Sequence, residues 1–159
     1  MAFKRICVQY KAKKTYVHTK RCLKPKTLVS LSKPQIFQSD KTLEWTVPLH
    51  IKSPNVSLHP YAQSKLNRRI CGTLLAYLPK EMDLVTLPCE ITFTRIAPRK
   101  LDSDNLAYAF KKIRDFCSDH LRPGLAHGRA DCEKYFKFNY AQESAGKGIY
   151  GIKITFKNL

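Results

Sequence analysis

An α+β fold is predicted: a small mixed sheet of about four strands, two helices packed on one face, and a basic N-terminal extension. Three observations predict it. Apolar residues at period two and at period 3.6 take turns along residues 45–159, Pro and Gly fall between those segments, and residues 1–44 show no helical periodicity.

Residues 1–44 hold eleven Lys or Arg against Asp40 and Glu44, a net charge of +9. Pro25, Pro34 and repeated Lys interrupt the short β-prone pieces there, so this part reads as a basic arm adding non-specific phosphate contacts, or as a solvated extension. The domain proper is expected over 45–159. A first strand is predicted over 45–51, a turn at Lys52-Ser-Pro-Asn55, and an amphipathic helix over 61–78. Leu66, Ile70, Leu74 and Leu78 would face the core of that helix, and Lys65, Arg68 and Arg69 lie opposite. Pro79 stops it. Residues 89–97 read as the second strand, which Pro98 ends. Leu106, Ala109 or Phe110, Ile113, Phe116 and Cys117 then recur at helical spacing to about His120, before Arg122-Pro-Gly124. Residues 135–142 alternate with Phe136, Phe138 and Tyr140 on one side, and 149–156 with Ile152, Ile154 and Phe156; Gly146-Lys-Gly148 is expected to make a hairpin between these two strands.

The chain carries 29 Lys plus Arg against 12 Asp plus Glu, a formal net charge of +17. Such a balance implies a polyanionic partner, nucleic acid before membrane, because the basic residues do not line a helix with a strongly apolar opposite face. No apolar run is long enough to span a bilayer, and the basic start lacks the apolar core of a secretion signal, so a cytoplasmic location is expected. Six cysteines show no C-x-x-C pair and no zinc-finger spacing with the five histidines. Reduced thiols, several of them core filler, are the expectation.

Against that basic background, Asp102 and Asp104 stand two residues apart, followed by Asn105 and bracketed by Arg95, Arg99, Lys100, Lys111 and Lys112. The segment joins a strand to a helix, where side chains can point together into a cleft. Mg²⁺ takes oxygen ligands, commonly one or two carboxylates plus water and substrate phosphate, and D-x-D spacing suits it. The competing explanation is that Asp or Ser only caps the helix. Asp131 precedes the third strand. If that strand pairs near the end of the second at Ala97, Asp131 could join Asp102 and Asp104 in an acidic triad holding one or two Mg²⁺, with nearby Lys or Arg offsetting transition-state charge.

The order of strand, Leu101-Asp-Ser-Asp-Asn-Leu106, helix, Pro-Gly loop, Ala130-Asp-Cys-Glu133, Phe136-Lys-Phe-Asn-Tyr-Ala-Gln142 and closing strand resembles the RusA family of Holliday-junction resolvases, from about Trp45 to Leu159. The resemblance implies a homodimeric, Mg²⁺-dependent endonuclease of DNA recombination and repair that nicks four-way junctions symmetrically. Its catalytic aspartates would fall on Asp102, Asp104 and Asp131. Two positions depart from the family pattern. Ala130 stands where a first aspartate of a pair is common, and Tyr108 stands where a lysine often follows D-x-D-N-L, so Lys111 or Lys112 would have to supply the cation. Asn105 would order the junction or the substrate, Arg95, Arg99 and Lys100 would contact phosphate, and Lys65, Arg68 and Arg69 would form a second basic face. No small-molecule substrate is implied. The alternatives are a non-catalytic DNA- or RNA-binding protein on the same fold, and a ribosome-associated basic protein.

Overall fold

The computed structural model describes residues 42–55 and 58–159. The expected extension lies outside the described residues, except that Thr42, Leu43 and Glu44 already belong to the first strand.

In chain order the elements are β1 (Thr42–Val47), α1 (Pro60–Ala76), a 3₁₀ turn (Lys80–Leu84), β2 (Cys89–Ala97), α2 (Ser103–Leu121), β3 (Phe136–Ser144) and β4 (Gly151–Asn158). The predicted α+β class holds: one four-stranded mixed sheet and two helices. β1 stops sooner than expected because Pro48 has no N–H to continue the ladder. α1 begins with Pro60 in its first turn, where a missing N–H costs nothing, and His59 Nδ1 accepts from Tyr61 N–H at 3.3 Å.

The strands lie in the order β1-β4-β2-β3. β4 pairs antiparallel with both β1 and β2, whereas β2 and β3 pair in parallel, Cys89 opposite Phe136 and Ala97 opposite Ser144. The hairpin expected between β3 and β4 is therefore corrected. Those strands are not neighbours. β3 returns along α2 to run beside β2, and the 145–150 link then carries the chain over the end of β2 to its other edge. Gly148, at φ 90°, makes the tight bend in that link. Alternation in the sequence fixes which face each side chain takes and leaves the neighbouring strand open.

One face of the sheet carries Leu43, Trp45 and Val47 from β1, Ile91 and Phe93 from β2, Phe136 from β3, and Ile152, Ile154 and Phe156 from β4, all buried. The matched registers, Trp45 opposite Ile154 and Ile154 opposite Phe93, set these side chains in rows. α2 lays Leu106, Phe110, Ile113 and Cys117 onto them, with the Phe110 ring stacked 5.4 Å from Phe93. α1 buries only Leu74 fully, while Ile70 and Leu78 pack against the same cluster and Leu66 stays half-exposed. Full burial of each large apolar side chain is worth roughly 1.5–3 kcal/mol. Cys89 and Cys117 are free and buried; burial pushes the Cys89 thiol up to about 11 and raises that of Cys117 further, which keeps both thiols protonated and inert.

The opposite face is polar and crossed by side-chain links. Glu90 accepts from Asn139 at 2.6 Å and pairs with Lys137 at 3.0 Å, and Lys153 pairs with Glu143 at 2.6 Å. No helix among the described residues is long and apolar enough to cross a membrane.

Candidate functional site

The strand-to-helix junction after β2 presents the two aspartates at the start of α2. Asp102 occupies the position just before the helix, and its backbone carbonyl accepts the first helical hydrogen bond, from Leu106 N–H at 2.9 Å. Its side chain makes no capping hydrogen bond. Asp104, in the first turn, accepts only a long bond of 3.4 Å from Ser103 Oγ, and both aspartates are exposed. Simple capping therefore does not account for these carboxylates. Both remain available to solvent.

The backbone leading to them is tightly held. Leu101 N–H donates to Gln142 Oε1 and Gln142 Nε2 donates to Leu101 carbonyl, both at 2.7 Å. Arg95 Nη1 donates to the Arg99 carbonyl at 2.5 Å. Arg95 was expected to contact phosphate from the surface. It is instead only 6% exposed, because it shares the inward parity of Ile91, Phe93 and Ala97 on β2. Burial lowers its pKa and Tyr150 partly opposes that shift. Arg99 and Lys100 are exposed beside the junction, and no ion pair engages either among the described residues.

Asp131 lies elsewhere. β3 does pair with β2, as the triad required, but in parallel, so its start faces Cys89 and not Ala97. Asp131 meets Arg114 Nη2 at 2.9 Å. Arg114 sits ten residues beyond Asp104 on α2, about 15 Å of helical rise. The three aspartates are thus not gathered within one chain, and among the described residues no group of three or more His, Cys, Asp or Glu is placed to hold a metal ion. Arg114 itself packs its guanidinium 5.4 Å from the Phe138 ring centroid. Burial works against its charge, yet Tyr140, Asp131 and Asp115 outweigh burial and hold its pKa above the ordinary arginine value. Ala130, next to Asp131, is fully buried, and its carbonyl accepts from Arg122 at 3.3 Å. An aspartate at this fully buried position would have to be desolvated.

A groove of about 760 Å³ runs between α1, α2 and the 50–55 loop, lined by Lys52, Asn55, Tyr108, Lys111, Lys112 and Asp115. Positions 104, 108, 111 and 115 follow one stripe of α2, so the groove continues the line on which Asp104 stands. Lys111 is exposed, Lys112 half-buried and Tyr108 67% exposed. Asn105 is half-buried in the first turn of α2. Lys65, Arg68 and Arg69 are exposed on α1 as expected. Sequence reading missed Arg114 and Gln142. Gln142 shares the inward parity of Phe136, Phe138 and Tyr140, a signal that was present; nothing local marks Arg114 as the partner of Asp131.

No protein-family model matches the chain, and a search of curated proteins finds no match.

Proposed function

We propose that the protein is a Mg²⁺-dependent endonuclease acting on branched DNA, with four-way junctions as substrate and a homodimer as the working form. The observation that carries this reading is the pair of exposed carboxylates, Asp102 and Asp104, left free of capping at a rigidly held junction in a chain of net charge +17. The resemblance to the RusA family supports it from the sequence side. Asp102 and Asp104 fit a hard divalent ion, which takes one or two carboxylates and fills its other positions with water and phosphate. Bound there, Mg²⁺ would supply Lewis-acid stabilisation and an activated water for phosphodiester hydrolysis. Arg99, Lys100, Lys111 and Lys112 would neutralise backbone phosphates along the groove, and Asn105 would face the same strand. Asp131 would act as third ligand only when released from Arg114, or when offered by a second copy across a two-fold axis.

A second reading is favoured by one observation, the Arg114–Asp131 ion pair: a non-catalytic nucleic-acid-binding protein on the same fold. Cleavage of a labelled four-way junction and of linear duplex, with Mg²⁺ or EDTA, separates the two. Paired Mg²⁺-dependent nicks near the crossover that vanish in Asp104→Asn support the nuclease. Tight junction binding without cleavage by the unaltered protein moves the conclusion to the binder.

A further inference from the structure

We propose that Gln142 and Arg95 are positioning residues that aim the Asp102 and Asp104 carboxylates. The two side chains are register partners on adjacent parallel strands and point to the same, helix-facing side of the sheet. Both leave the sheet to take hold of the segment between β2 and α2. The Gln142 amide closes on Leu101 from both sides, accepting from its N–H and donating to its carbonyl, as a neighbouring strand would. Arg95 takes the carbonyl of Arg99 two residues earlier. The Leu101 side chain packs against the core cluster. Three tethers therefore fall within three residues, immediately ahead of two carboxylates that make no strong contact of their own.

The cost of this arrangement points to a purpose. Arg95 is 6% exposed, its Nε is buried without a partner, and no carboxylate pairs with it among the described residues. A buried guanidinium without a counter-charge is destabilising, and an apolar residue at this inward position would pack at no such cost. Local penalties of this kind concentrate at functional sites. A junction that only linked a strand to a helix would not need them; two ligands that must share one ion would, since groups around a metal's ligands fix their orientation.

This inference rests on the metal-dependent reading, and its test separates the two. The full chain and the variants Gln142→Ala and Arg95→Met are titrated with Mn²⁺, following free Mn²⁺ by electron paramagnetic resonance. Junction affinity is measured in EDTA, and amide exchange is followed at Leu101. Gln142→Ala is expected to weaken Mn²⁺ binding by roughly ten- to a hundredfold, to lower kcat for junction cleavage without raising KM, to leave affinity in EDTA unchanged, and to speed Leu101 exchange while exchange in the sheet stays slow. Gln142 is half-exposed on an edge strand, so this variant keeps the core intact where Arg95→Met tests the interior. If the unaltered chain binds Mn²⁺ and Asp104→Asn does not, but Gln142→Ala and Arg95→Met bind it as the unaltered chain does, the positioning role is overturned and the nuclease reading stands. If the unaltered chain takes up no Mn²⁺ and cleaves nothing, the metal reading falls and the positioning role falls with it.

Discussion

The Arg114–Asp131 pair links α2 to the loop returning to β3, and its strength can be bounded from its geometry. The N···O distance is 2.9 Å and the side chains are 28% and 26% exposed. A fully exposed pair contributes about 0.2–1 kcal/mol, and breaking a buried pair by removing one partner costs about 3–5 kcal/mol. With roughly a quarter of each side chain in water, the coupling should lie between, at about 1–2 kcal/mol. A double-mutant cycle of Arg114→Met, Asp131→Asn and the double variant, followed by urea unfolding in low salt, isolates that coupling from the contact of Arg114 with Phe138, which Met partly retains. Raising the salt should shrink the coupling only modestly, because a half-buried pair is weakly screened. A coupling of less than about 0.3 kcal/mol would refute the assignment, since values that small are ordinary for side chains that do not interact.

Two further outcomes follow from the fold. Phe110→Ala removes a fully buried ring stacked on Phe93 and 6.1 Å from Tyr140, and should cost about 3–5 kcal/mol by denaturant unfolding; a loss below about 2 kcal/mol would mean the core closes over the gap. Burial raises the Asp115 carboxyl, Asp131 adds to the rise, and Lys112 and Arg114 only partly offset it. The folded chain therefore binds this proton more tightly than the unfolded one, so stability is lost as pH rises from the ordinary value of 3.8 through the raised one. Asp115→Asn should raise Tm at pH 7 and lose that advantage near pH 3; an equal effect at both pH values would contradict the charge-burial explanation.

The elements were legible in the sequence to within a few residues because each had to bury one face. Phe136, Phe138 and Tyr140 announce β3, and Leu106, Phe110, Ile113 and Cys117 announce α2. Their neighbours were not legible. Ile152, Ile154 and Phe156 fit equally well beside β3 or between β1 and β2, and the Gly146–Gly148 bend suits a hairpin as readily as a crossover. The D-x-D junction could be read from Asp102, Asp104 and Pro98 alone. Asp131 could not be placed, since its position depends on whether β3 runs with or against β2. The charge of Arg95 suggests a surface cation, whereas its parity with Ile91 and Phe93 turns it inward.

The placement of β4 has a consequence for synthesis. It is the last of the described strands in the chain and lies inside the sheet, between the first strand and β2. While the ribosome has yet to release Gly151 onward, β1 lacks its only partner strand among the described residues and Trp45 lacks Ile154 across from it, more than a hundred residues after Trp45 was made. Growing chains must therefore hold an open sheet edge until β4 emerges, and a product cut short before β4 keeps its junction aspartates but loses the strand that joins its two halves.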